Sequence, residues 1–426
     1  MWEEGSCMQI TNKSSQHTPE STSTPKTVKA SESTSTPSCL QVRHVVSASN
    51  CIEATQHRCA LIRKIKIAIL SCVLLGIIAV CYAYIFSLYA PLAQVSWNDF
   101  REAPACDTVI VGSSYAQRSV NPLVYDATRA ELSGEQNPST YNLATPGQVL
   151  SSTYDTVLEA IEHKHVKRVI LGIGLYSLDN PYNVRAEVPY LYARYQHDPI
   201  TLAQKLGSLA LRKGTFGAKD SLNVYFPWVF TPARTPQALY YNVMSRLTHE
   251  PYGLAAQKVT KDWTYGGRGY GNYNWALEDG NYDTSAQVYG WPRLDQKSFE
   301  YLAQIARLCQ ERGVSFICIA TPHPAYDIAS FGSFYPKTMQ RVRDIVEGAN
   351  GVYLDCNMCK ENVISFSRSE FADFEHLNTT GAQHFSRYLA KLIYRIDMHE
   401  DVSQDFISYD EWDTWMKQYK ATKGNS

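Results

Sequence analysis

The sequence has almost no excess charge: 40 Lys and Arg residues face 41 Asp and Glu, a formal net charge of −1. No basic face large enough to neutralise a run of phosphates follows from that balance, which argues against nucleic acid as a partner. Metal-ligand spacing is equally scarce. Cys356-Asn357-Met358-Cys359 has no second cysteine pair and no histidines near it, so no metal site is expected. The stretch Gly266-Gly267-Arg268-Gly269 lacks the Lys-Ser/Thr ending of a phosphate-binding loop, and no cofactor is implied.

Apolar residues are missing from the first part of the chain. Ser21-Thr22-Ser23-Thr24-Pro25 and its near copy Ser33-Thr34-Ser35-Thr36-Pro37 typify a stretch with too little apolar surface to offset the entropy of ordering. Residues 1–62 are therefore expected to form a tail without structure. Charge disappears next, between residues 67 and 98. The apolar part of that run, 67 to about 88, is long enough at the helical rise to cross a hydrocarbon core of about 30 Å. Tyr82, Tyr84, Phe86 and Tyr89 gather at its distal end, and Arg63, Lys64 and Lys66 at its start. Aromatic residues suit a membrane interface, and basic ones the cytoplasmic side. A cleaved signal peptide would have a shorter apolar run and a small-residue cleavage site. The expectation is one transmembrane helix over 63–90, a cytoplasmic N-terminus, and a domain over 91–426 that is periplasmic or extracellular. That domain holds five of the 11 cysteines, an odd count that leaves one free or paired between chains. Cys356 and Cys359 are spaced to close a small disulfide loop.

From residue 107 onward, short β-rich runs alternate with amphipathic stretches. Strands are expected at 108–111, 140–144, 168–174, 314–320 and 352–354, and helices at 150–162, 296–312, 337–347 and 380–394. That alternation predicts an α/β fold with a parallel sheet of about five strands covered by helices on both faces. Ligands of such sheets bind at the carboxyl ends of the strands. Ser114, Gly147, residues 174–177, residues 321–324 and Asp355 all fall just past strand ends. A long interruption, 178–294, is crowded with Tyr and Trp and is expected to form an insertion or cap. Its aromatic faces suit sugar rings, and packing of the cap accounts for the same residues. Trp412 and Trp415 stand among acids in the C-terminal segment, which either docks as a helix on the domain or binds a partner.

Two pieces of this domain suggest nucleophilic chemistry. Val109-Ile110-Val111-Gly112-Ser113-Ser114 puts serines at the end of a buried strand, and Asp373-Phe374-Glu375-His376-Leu377-Asn378 puts an acid and an imidazole in one turn. A serine hydroxyl attacks poorly until an imidazole takes its proton, and the imidazole needs a carboxylate to fix its tautomer. Ser114 is the expected nucleophile, with a helix N-cap as its alternative role, and Ser113 is the competing nucleophile. His376 is the expected base and Asp373 its partner. His323, in Thr321-Pro322-His323-Pro324, is expected to border the same rim and to bind substrate, or to mark a plain turn.

These residues resemble the SGNH, or GDSL-like, hydrolase superfamily. Gly112-Ser113-Ser114 fills its first block, Asn142-Leu143-Ala144-Thr145-Pro146-Gly147 its second, and Asp373 with His376 its last. The resemblance implies a flavodoxin-like sheet, a Ser114–His376–Asp373 triad and an oxyanion held by the backbone N–H groups of Ser114 and Gly147. Asn142, beside His323, is a further candidate for substrate binding. The third block departs: Gly172-Ile173-Gly174-Leu175-Tyr176-Ser177 lacks the Asn that donates to the oxyanion. Membrane-anchored members that serve alginate O-acetylation or teichoic-acid D-alanylation look similar. The implied function is acyl transfer to, or ester hydrolysis on, an envelope polysaccharide, with a membrane-bound acyl-donor protein as partner. A catalytically inactive carbohydrate-binding or scaffold protein and D-alanyl transfer to teichoic acid are the alternatives.

Overall fold

The computed structural model describes residues 42–81, 91–134, 138–180, 183–195, 198–211, 263–277 and 283–423. The chain divides near Leu74 into an N-terminal unit and a larger unit. Helix α1, Val42–Cys81, starts inside the stretch expected to lack structure. That expectation is corrected for 42–62: the Ser/Thr/Pro repeats end at Pro37, and the residues from Val42 onward are free of Pro and Gly as far as Gly76. From Leu61 to Ile78 its large apolar side chains are exposed on every side of the helix. Among the described residues no helix is long and apolar enough to cross a membrane. Residues 82–90, the distal part of the expected span, lie outside the described residues.

In the larger unit the strands, in chain order, are β1 (Thr108–Gly112), β2 (Thr140–Asn142), β3 (Arg168–Ile173), β4 (Trp263–Gly267), β5 (Tyr270–Tyr273), β6 (Ser315–Ala320) and β7 (Val352–Asp355). Between them run α2 (Pro91–Glu102), α3 (Ser114–Ser119), α4 (Pro122–Ser133), α5 (Leu150–His163), α6 (Val184–Arg194), α7 (Pro199–Leu211), α8 (Ser285–Tyr289), α9 (Gln296–Glu311), α10 (Ala325–Ser330) and α11 (Phe334–Glu347); α12 (Thr379–Asp397) and α13 (Trp412–Lys423) follow. Five strands form one parallel sheet in the order β2-β1-β3-β6-β7.

The period of two in each strand divides the core. Val109, Val111, Val169, Leu171, Phe316 and Cys318 pack with α5, α9 and α11 on one face. Ile110, Ile170, Ile317, Ile319 and Leu354 pack with Tyr125 of α4 and Phe385, Leu389 and Ile393 of α12 on the other. Full burial of each such aliphatic side chain stabilises by about 1.5–3 kcal/mol. The helices start and stop on local signals. Asn121 caps α4, accepting from the N–H groups of Leu123 (3.0 Å) and Val124 (3.3 Å), and Pro122 opens it. Asn378 caps α12 by accepting from Gly381 N–H at 3.1 Å.

The expected insertion is described only in part. Helix α6 packs on α2, and the β4–β5 hairpin packs on α3. Tyr270 and Tyr273 of the hairpin are buried, so these aromatic residues serve packing. Gly269 has φ +84° and would drive a Cβ into the Asn142 carbonyl, which explains a glycine at this turn. The C-terminal segment docks on the domain. Trp412 is buried and stacks on Tyr335 at 5.7 Å, and the Tyr409 hydroxyl donates to Asp355 at 2.5 Å. Cys356 and Cys359 are free, as are Cys106, Cys309 and Cys318. Burial pushes the Cys106 and Cys309 thiols up to about 12.

Candidate active site

All five sheet strands run the same way, so the turns after β1, β2, β3, β6 and β7 share one rim. After β1 the chain reverses sharply. Gly112 has φ +130°, and a Cβ there would strike the Gly172 carbonyl of β3. Ser113 then caps α3, its Oγ accepting from Tyr115 N–H at 3.5 Å, and is buried. Ser114, the first helical residue, is half-buried. The two serines thus divide the roles: Ser113 is the cap, and Ser114 presents its hydroxyl.

Ser114 Oγ lies 2.8 Å from His376 Nε2. On the other side of the ring, His376 Nδ1 lies 2.8 and 3.0 Å from the two Asp373 oxygens. A carboxylate at Nδ1 holds the proton there and leaves Nε2 as the acceptor for the serine proton. Asp373 also accepts from Arg118 Nη1 (3.0 Å) and Glu375 N–H (3.0 Å). Burial works against its charge, but His376 and Arg118 outweigh burial and hold the carboxyl well below the usual range. Arg118 in turn sits over the Tyr273 ring at 4.3 Å, so the hairpin of the insertion seats the cation that holds Asp373.

The remaining expected residues divide into those on the rim and those beneath it. Gly147 lies in an exposed turn at φ +72°, and Thr145 N–H ties that turn to Gly112 O at 3.0 Å. Asn142 is fully buried. Its amide donates to the carbonyls of Ala116 (3.1 Å) and Val120 (3.0 Å) and accepts from Ala144 N–H, so it braces α3. It is not free for a substrate. His323 is on the rim, with Nδ1 2.9 Å from Asp327 Oδ2.

Several residues were missed from sequence. Tyr115 follows Ser114, and its ring stacks on His376 at 5.5 Å and leans on His323 at 5.2 Å. Its hydroxyl donates to Glu375 at 2.8 Å, and Tyr289 of α8 donates to the same carboxylate at 3.1 Å. Burial, then the Glu375 charge, push the Tyr115 phenol well above its ordinary value, so it stays a donor. Gly174, where the third block would carry Asn, has its own explanation. A Cβ there would come within 2.8 Å of the Tyr115 ring. The ring fills the space that a side chain at 174 would need. Arg118 was visible as the residue four after Ser114, and Asp327 as the residue four after His323, both helical spacings. Tyr115 and Glu375 left no such signal.

No family model matches the chain, and no curated protein matches it.

Proposed function

We propose that the protein is a serine-dependent acyltransferase or esterase of the SGNH type, acting on an acyl ester, O-acetyl above all, of a cell-envelope polysaccharide. The observation that carries the reading is the hydrogen-bonded chain from Ser114 through His376 to Asp373. The sheet order β2-β1-β3-β6-β7, which corresponds to the flavodoxin-like arrangement, supports it. In the reaction, His376 Nε2 takes the Ser114 proton as Oγ attacks the acyl carbon. The N–H groups of Ser114 and Gly147 receive the tetrahedral oxyanion. Collapse releases the alcohol with the proton from His376 and leaves an acyl group on Oγ. Water or an acceptor hydroxyl then repeats the sequence in reverse. The apolar side chains exposed around α1 support anchorage by one helix over 63–90, with the domain outside the cytoplasm and a membrane-bound acyl-donor protein beside it.

One observation favours a second reading, a binding or scaffold protein that has lost turnover. Gly174 supplies no side-chain donor, and its N–H is already 3.2 Å from Ser177 Oγ. Loss of one oxyanion donor costs about 10²–10³ in turnover. D-alanyl transfer to teichoic acid uses the same serine chemistry and differs in the acyl group and the acceptor polymer. The deciding experiment is mass spectrometry of the full chain in detergent after a fluorophosphonate probe, beside Ser114→Ala. A single adduct on Ser114, absent from the variant, is expected. A folded wild type that takes no adduct would reject the enzyme and leave the scaffold.

A further inference from the structure

A second carboxylate stands beside the triad and has no part in the reaction described so far. Glu375 immediately precedes His376, and its side chain is only 6 % exposed. Its Oε1 lies 3.8 Å from His376 Nδ1, against 2.8 and 3.0 Å for the two Asp373 oxygens. The Tyr115 hydroxyl donates to Oε2 at 2.8 Å and the Tyr289 hydroxyl to Oε1 at 3.1 Å. Two elements, α3 and α8, thus hold the group in place next to the imidazole. Burying a carboxylate is costly unless a charge pairs with it. The partner at 3.8 Å is an imidazole, a cation only when protonated. The attraction is therefore complete only once His376 has taken the serine proton. An interaction that is stronger in the transition state than in the ground state is the kind that speeds a chemical step.

We propose that Glu375 is a second positioning carboxylate for His376: beside Asp373, it stabilises the imidazolium that forms as Ser114 gives up its proton. The inference rests on the serine-chemistry reading above and adds a residue that the triad does not include. Glu375 makes no bond and exchanges no proton. The other charged groups about the ring are Asp373 of the same turn, Arg118 of α3, which offsets the Asp373 charge, and, across the Tyr115 ring, His323 with Asp327. Burial holds the phenols of Tyr115, Tyr176 and Tyr289 above their ordinary range, so they stay neutral while an imidazole titrates.

The test is the rate of fluorophosphonate labelling at Ser114 against pH, on the full chain in detergent, for wild type, Glu375→Gln and Glu375→Asp. In that reaction Oγ bonds to phosphorus, fluoride leaves, and the proton goes to His376 Nε2. Gln keeps the length and can still pair with both tyrosine hydroxyls, but removes the charge. Neutral imidazole is the active base, so the rate rises with pH to a plateau. Without the Glu375 anion the imidazolium is less favoured. The pH of half-maximal rate should then fall by about one unit. The plateau should fall by about three- to tenfold, because the same charge stabilises the transition state. Glu375→Asp, which keeps the charge on a shorter side chain, should move part of the way, and it decides alone should Glu375→Gln not fold. An unshifted midpoint would overturn the proposal, even with a lower plateau, since a purely structural role for Glu375 gives that result. An adduct on Ser114 with an unshifted midpoint ends this inference alone; no adduct in folded wild type ends the serine-chemistry reading as well.

Discussion

Asp373 orients His376 through Nδ1 and is itself held by Arg118, a half-buried carboxylate between an imidazole and a guanidinium. Its folded pKa is depressed despite burial, because His376 and Arg118 together favour the charged form. Unfolded, the same carboxyl titrates near about 3.9. The stability it contributes is therefore fully present above that value and is lost as pH falls through the lower folded one. Asp373→Asn should be less stable than wild type at neutral pH. The difference should shrink as pH drops from about 4 toward 2. Thermal unfolding of both proteins over that range checks it, and a difference that stays constant with pH would remove the ionised carboxylate from the account. The pairing of Asp373 with His376 was legible in sequence because they stand three positions apart. The pairing of Tyr115 with Glu375 was not, because they stand 260 positions apart and only the folded sheet brings their segments together.

At the scale of elements, the strands and the helices between them were legible because each signal is local. Thr108-Val109-Ile110-Val111 is β-branched and buried on both faces, and Gln296–Glu311 repeats apolar residues at helical spacing. The second strand ended earlier than expected, at Asn142, where the side chain turns back to α3. The third-block departure also reads differently once elements are in place. From sequence Gly174 was a missing Asn; in the fold it is the residue that lets α3 lay Tyr115 against β3. Restoring the Asn should therefore fail by itself. Gly174→Asn should destabilise the domain by about 1–3 kcal/mol, since the ring must move to accept a Cβ. With Tyr115→Ala beside it the two changes should be strongly non-additive, the smaller residue making room for the larger. Urea unfolding of the four proteins of that cycle measures the coupling. Additive losses would show that the ring and position 174 do not compete for space.

For the whole domain, the sheet has two ends that depend on distant chain. The insertion serves one end, where its hairpin seats Arg118 beneath Tyr273, and nothing in the tyrosine-rich sequence indicated which tyrosine would do so. The C-terminal segment serves the other. Asp355, at the end of β7, is buried, which raises its pKa, and the hydroxyls of Tyr409 and Tyr335 counter that burial. Trp412 covers Tyr335, which in turn accepts from Asn357 Nδ2 at 2.8 Å. Deleting residues 401–426 removes Tyr409 and Trp412 together. Loss of one buried Trp costs about 3–5 kcal/mol, which in a domain of this size lowers Tm by about 4–7 °C. Ser114 lies at the start of α3, and Asp373 and His376 lie on the approach to α12, none of which the deleted segment supplies. The shortened protein should therefore unfold earlier yet still label at Ser114 well below its own Tm. A Tm equal to that of the full chain would mean that α13 adds no stability. Loss of labelling in protein that is still folded would mean that the loss of the Tyr409 hydrogen bond at Asp355 is felt through Asn357 and His323 at Tyr115, the ring both histidines share.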